Sequence, residues 1–250
     1  MKNKIGWCNL TFNPVWGCLS KCPYCYARAI AKRFYRQIYE LEVKRHFERH
    51  PTWAWTGDHL KKLRDFGPTF LYSQYCKKLP KKPQRIFVGS MSEIYYWEPE
   101  WVEMVIEKVK QYPQHIFQFL TKFPRVYYEW AFPPENCWLG ITVTGKENIN
   151  DMQRIYEFSE DNANLEYHNI KFISFEPLLD GVSPKFMTGI NWVIIGAETG
   201  NRKGKITPNG SWVFNIFDYC KNHNTPIYIK NSLVKYYSEY GGYKEFPEVK

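Results

Sequence analysis

The chain has 250 residues, 44% of them apolar and 18% aromatic, enough for a sizeable packed core, and it has no internal repeat or low-complexity tract. No run reaches the length of a membrane span and the start, MKNKIGWC, lacks the apolar region of a signal peptide, so a cytoplasmic protein off the membrane is expected. Net charge is +9, and the excess lies in residues 28–85, where 15 Lys/Arg stand against 5 Asp/Glu. That imbalance suits a polyanion such as nucleic acid, unless the cations simply form the solvated face of a helix.

In chain order, residues 5–11 read as a first strand carrying Cys8. A cysteine-rich loop follows, GCLSKCPYCYA at 17–27. Tyr26, Ile30, Phe34, Ile38 and Leu41 recur at helical spacing and predict the apolar face of a first helix. Residues 50–84 break the rhythm with Pro, Gly and charge, which predicts an insertion that covers a site or binds a partner. Trp53, Trp55, Tyr72 and Tyr75 lie among its cations, where rings can stack bases while cations hold phosphates. Short apolar runs at 85–90, 115–121, 138–143, 171–175, 192–195 and 226–230 read as buried parallel strands. Helices are expected at 98–110, 148–158 and 211–221, the last with Ser211 as its N-cap. Six to seven parallel strands alternating with helices predict an α/β fold, a (βα) barrel that is partial or nearly closed. The expected organisation is one domain over 1–250 with a basic insertion at about 50–84, after the first helix.

Cys18, Cys22 and Cys25 form a C-x3-C-x2-C run. Three close thiolates can hold three irons of a four-iron, four-sulfur (4Fe–4S) cluster, leaving the fourth iron open to a small molecule. The competing reading is zinc in a structural, nucleic-acid-binding module, which needs a fourth ligand from Cys8, Cys76, Cys137, Cys220 or a histidine. The odd total of seven cysteines, three of them within eight residues, argues against a disulfide framework. In parallel barrels the loops after the strands build the active site. Polar groups collect there: Ser90, Ser92 and Glu93; Thr121 and Lys122; Thr142; Glu176; Glu198; and Lys230.

The cysteine run resembles the signature of the radical S-adenosylmethionine (SAM) enzymes, including an aromatic, Tyr24, before the last cysteine. The resemblance implies a radical SAM-type barrel, a 4Fe–4S cluster on the three cysteines, and SAM chelated at the open iron. Reductive cleavage would give a 5′-deoxyadenosyl radical, with flavodoxin or ferredoxin as electron donor. Tyr24 would lie near the adenine. Ser90, Ser92 and Glu93 would hold the SAM amino group, Thr121 or Thr142 its ribose or carboxylate, and Lys122 or Lys230 an anion. Glu176 and Glu198 would bind a substrate donor or move a proton, and Cys8 would be a hydrogen-atom donor. A second resemblance, to the phage Gp37/Gp68-like family related to radical SAM enzymes, rests on ordered segments over residues 7–230. They include FNPVWGC at 12–18, FVGSMSE at 87–93, LTKFP at 120–124, WLGIT at 138–142, FISFEPLL at 172–179 and WVIIGAETG at 192–200. That family supplies no known reaction. A nucleic acid or nucleotide is the expected substrate, modified or repaired, with a peptide or small metabolite as the alternative.

Overall fold

The computed structural model describes residues 5–49, 55–130, 133–145, 149–160 and 169–248. Trp53 and the rest of 50–54, together with the expected helix start at 148, lie outside the described residues. The strands are β1 (Leu10–Phe12), β2 (Val15–Trp16), β3 (Thr69–Phe70), β4 (Arg85–Val88), β5 (Ile116–Thr121), β6 (Cys137–Thr142), β7 (Lys171–Phe175), β8 (Trp192–Ile195) and β9 (Ile227–Ile229). The α-helices are α1 (Tyr26–Arg49), α2 (Gly57–Arg64), α3 (Tyr72–Tyr75), α4 (Pro99–Lys110), α5 (Ile149–Glu160), α6 (Gly210–Asn222) and α7 (Asn231–Val234). Seven strands form one sheet in the order β1-β4-β5-β6-β7-β8-β9. Pairing is parallel at β1–β4, β6–β7, β7–β8 and β8–β9. Sequential parallel strands joined by helices give the expected α/β class, a partial (βα) barrel. The expected strands from 85 onward all form. The first is displaced: Gly6 takes φ +89°, which breaks the extended chain, and β1 begins at Leu10. Cys8 is therefore buried but off the strand. No helix of the described residues is long and apolar enough to cross a membrane.

The chain divides into two compact units, Cys8–Phe117 and a second made of Met1–Trp7 with Gln118–Lys250. In the first unit α1 does not bury the expected stripe. Tyr26, Ile30 and Phe34 are exposed, and Ala27 and Ala31 are buried instead against Phe66 and Met91. Small side chains let the helix backbone approach closely, so the larger residues are left on the outer side. Further along α1, Glu42 is 1% exposed, and both its carboxylate oxygens accept from the Ser73 N–H at 3.1 Å. The insertion is thus docked. Its α2 and α3 follow α1, and its β3 pairs antiparallel with β2. Lys108 on α4 donates from Nζ to the carbonyls of Tyr75 and Lys77, and its ammonium lies 4.9 Å from the Tyr75 ring centre. Apolar burial beneath α4 comes from Val105 and Val109.

In the second unit, register places Thr142, Ser174, Ile194 and Tyr228 in one row across β6 to β9. The row before it contains Gly140, Phe172 and Trp192. A Cβ on Gly140 would lie 2.2 Å from the Phe172 ring, so glycine is what lets that ring cross β6. Helix α6 starts two residues earlier than Ser211 implied. Asn209 is the cap, its Oδ1 accepting from the Ser211 N–H at 2.9 Å and from the Ser211 hydroxyl at 3.0 Å.

Candidate metal centre and strand-end polar groups

The cysteine loop runs from the end of β2 to the start of α1. Gly17 opens it with φ +107°, and a Cβ there would lie 2.1 Å from the Gly67 carbonyl oxygen. Only glycine fits so close a backbone crossing in the left-handed region. The Gly17 N–H donates to Met91 O at 3.0 Å and the Cys18 N–H to Phe66 O at 2.8 Å. Both the 85–93 strand-end segment and the insertion therefore hold the loop in place.

Cys18, Cys22 and Cys25 are half-buried, and no cysteine in the chain is in a disulfide. The Ser20 N–H donates to Cys18 Sγ at 3.3 Å and the Arg28 N–H to Cys25 Sγ at 3.4 Å. Cys18 and Cys25 border the same apolar cluster of Ala27, Ala31, Phe66 and Met91. Burial pushes the Cys18 thiol up, with smaller upward contributions from Glu93 and Cys22 opposing the Ser20 hydrogen bonds. Any metal ligation would then have to displace a proton from Cys18. Among the described residues no group of three or more His, Cys, Asp or Glu is gathered as a metal-holding set. The donor chemistry fits an iron–sulfur cluster, since the loop offers three thiols with backbone N–H groups aimed at two sulfurs. The thiols themselves are not drawn into a closed set.

A residue outside the sequence expectations organises the loop. Arg28, in the first turn of α1, donates from Nη2 to the carbonyls of Cys18 at 3.1 Å and Ser20 at 3.2 Å. Its guanidinium carbon lies 5.0 Å from the Phe66 ring centre. The signal was available: a cation three residues past the last cysteine, on the turn whose free N–H groups face the loop.

The remaining candidates are placed as follows. Tyr24 is half-buried within the loop. The Ser90 hydroxyl donates to Asn13 Oδ1 at 3.0 Å, and the Tyr26 hydroxyl donates to Ser90 O at 2.8 Å. Ser92 Oγ accepts from Trp97 Nε1 at 3.0 Å. Glu93 is buried and accepts from the Tyr95 N–H at 3.4 Å as a helix cap. These groups share the Cys8–Phe117 unit with the three cysteines.

In the other unit, Thr121 Oγ1 accepts from the Phe123 N–H at 3.0 Å. Lys122 is half-buried. Thr142 is buried beside Ser174 at the end of β6. Glu176 and Lys230 form an ion pair at the ends of β7 and β9. Lys230 is thus paired with this carboxylate. Glu198 is engaged on both oxygens by Arg202, at 2.7 and 2.8 Å. The Arg202 hydrogen bonds hold the Glu198 carboxyl below the usual range, which keeps it ionised and poorly suited to carry a proton at neutral pH. The loop at 200–205 spends Arg202 on Glu198 and Lys205 on the Gly200 carbonyl. Cys137 and Cys220 are buried, and burial pushes the Cys220 thiol up to about 12. Both behave as apolar packing groups. Gln118 and Ser174 are buried polar residues inside strands, and Ser232 Oγ is buried just after β9; their residue types alone carry no signal in the sequence.

No curated protein and no solved structure matches the chain. Residues 2–240 match the family described as "Protein of unknown function (DUF5131)", and the chain belongs to that family.

Proposed function

We propose that this chain is a radical SAM enzyme of the phage Gp37/Gp68-like kind, acting on a nucleic acid or nucleotide. The observation that carries the reading is the loop itself. It offers three half-buried thiols in a C-x3-C-x2-C run, with backbone N–H groups on the sulfurs of Cys18 and Cys25 and no fourth cysteine in the loop. A bound 4Fe–4S cluster would supply the electron that cleaves SAM to methionine and a 5′-deoxyadenosyl radical. Cys18, Cys22 and Cys25 would hold three irons. The N–H groups of Ser20 and Arg28 would stabilise thiolate charge, and Arg28 would keep the loop folded back on α1. The backbone of Tyr24 and the segment carrying Ser90, Ser92 and Glu93 would hold SAM.

Nucleic acid is favoured over a peptide or small metabolite by charge. Exposed Lys32, Arg33, Arg36, Lys44, Lys61, Lys62, Lys81 and Lys82 all fall in the basic segment. The reading implies a reducing cytoplasmic setting and an electron donor such as flavodoxin or ferredoxin.

Anaerobic reconstitution tests it. The expected result is about four irons and four sulfides per chain, and 5′-deoxyadenosine on reduction with SAM. Cys22→Ala should lose both. Product formation that persists in Cys22→Ala, or a chain that takes up zinc and no iron, overturns the assignment.

A further inference from the structure

Helix α1 leaves an apolar stripe uncovered. Tyr26 is 49% exposed, Ile30 38% and Phe34 37%, and they recur every four residues along one side of the helix. Ala27 and Ala31 take the buried side, so the stripe faces outward. From Tyr26 to Phe34 it runs about 12 Å along the axis. Its first residue follows Cys25 directly, and in the cysteine loop Leu19 is 58% exposed. The Tyr26 hydroxyl donates to Ser90 O at 2.8 Å, which ties that ring to the 85–93 segment. All of these residues belong to the Cys8–Phe117 unit.

Cations line the stripe. Arg33 follows Ile30 by three positions and Tyr26 by seven, which places it beside both on the helix surface. Arg36 follows Arg33 by three positions and Lys32 by four, so the basic row continues round the helix. Lys32, Arg33 and Arg36 are exposed, as is Lys44 further along, while of the acids in residues 26–45 Glu40 is exposed and Glu42 is buried. The guanidinium carbon of Arg33 lies 5.2 Å from the Phe34 ring centre. That of Arg36 lies 5.8 Å from the Tyr35 ring centre, and Arg36 Nε donates to the Tyr35 hydroxyl at 3.1 Å.

An exposed apolar stripe rimmed by charge marks a binding face. The sign of the rim narrows the occupant. A second copy of the chain would set the same cations against one another, and the chain carries +9 overall. A duplex would offer phosphates to the cations but keep the faces of its bases inside its own stack, leaving the rings without a contact. A single strand offers both at once, flat bases for Tyr26 and Phe34 and phosphates for the guanidinium groups beside them. Aromatic rings within a basic track are the means by which single strands are held without sequence preference.

We propose that the outer face of α1 holds a single-stranded nucleic acid, with Tyr26 and Phe34 stacking on unpaired bases and Lys32, Arg33 and Arg36 paired with phosphates. The proposal deepens the function above by giving the strandedness of the substrate and the surface that takes it up, and rests on that reading only for the reaction. Binding itself needs neither cluster nor SAM.

The test is fluorescence anisotropy with the full-length chain, without iron or SAM, titrated into labelled DNA and RNA strands of about 20 nucleotides, longer than one such site, and into the matching duplexes. A single strand should bind about tenfold or more tighter than its duplex, the gain from stacking on two rings. Phe34→Ala should weaken single-strand binding about fivefold or more and leave duplex binding unchanged. Arg33→Gln with Arg36→Gln should reduce the slope of log affinity against log salt by about 1.4, the counterion release of two phosphate contacts on a single strand. If Phe34→Ala does not fold, the arginine variant and the comparison of strand with duplex carry the test. No binding, a duplex bound as tightly as the single strand, or single-strand binding unchanged in Phe34→Ala overturns the proposal, as does an unchanged salt slope in the arginine variant. Polyglutamate bound as tightly as the single strand, and equally weakened by Phe34→Ala, would assign the face to an acidic protein and overturn it too. Failure of the cluster assay leaves strand binding standing, and loss of strand binding leaves iron uptake and SAM cleavage standing, so the two failures are distinguishable.

Discussion

Arg28→Met separates loop architecture from loop chemistry. The substitution keeps the aliphatic stem of a half-buried side chain and removes the guanidinium. Nη2 donates to the carbonyls of Cys18 and Ser20 at 3.1 and 3.2 Å, and Nη1 reaches the Asp65 carbonyl at 3.5 Å. A hydrogen bond with one charged partner contributes about 1.5–3 kcal/mol net, and partial exposure puts these at the low end. The 3.5 Å contact adds little, and the cation over Phe66 adds about 0.5–1 kcal/mol. Allowing for water that replaces Arg28 at the carbonyls, the expected loss is about 2–3 kcal/mol. At about 2–4 °C per kcal/mol for a chain near this size, the melting temperature should fall by roughly 5–10 °C. Thermal unfolding followed by circular dichroism measures it. The second readout is iron per chain after anaerobic reconstitution, which should drop well below wild type although every cysteine is intact. Arg28→Lys, a point charge without the fork, should recover part of the stability and less of the iron. A melting temperature within about 1 °C of wild type together with full iron uptake in Arg28→Met would refute the claim that Arg28 shapes the loop.

Two further outcomes follow from buried positions. Burial raises the Glu42 carboxyl above its ordinary value, against the Ser73 hydrogen bonds. A carboxyl raised on folding favours the protonated form, so it costs stability as pH rises through its folded value. Glu42→Gln keeps an acceptor for the Ser73 N–H without the charge. It should therefore raise the melting temperature more at pH 8 than at pH 5, and the reverse order would show that Glu42 is stabilising as an anion. Gly140→Ala drives a methyl into the Phe172 ring and should cost about 1–3 kcal/mol by overpacking. Phe172→Leu in the same chain should return part of it, and a strictly additive double variant would place the strain elsewhere.

The strands at 85–88, 116–121, 137–142, 171–175, 192–195 and 227–229 were legible because strands buried on both faces read as continuous apolar runs. Features set by distant partners were not. Tyr26, Ile30 and Phe34 have the spacing of a buried stripe, but the neighbours Phe66 and Met91 select the alanines one position along. How the insertion packs was not legible because its β3 and the β2 it pairs with are two residues each, a length that carries no periodicity. Its order comes from long-range contacts such as the Cys18 N–H on Phe66 O and Glu42 on the Ser73 N–H.

The same distinction governs the site. The cysteine run was visible because spacing along one loop is a local property. Glu176 and Lys230 were each named for a separate role, and the fold turns them into one ion pair by bringing together strand ends 54 positions apart. Gln118 and Ser174 could not be singled out in sequence, since a glutamine and a serine inside apolar strands look like tolerated exceptions. They become informative only when every buried donor and acceptor is matched with a partner and these fail to find one. An unmatched amide costs about 1–3 kcal/mol of folding stability.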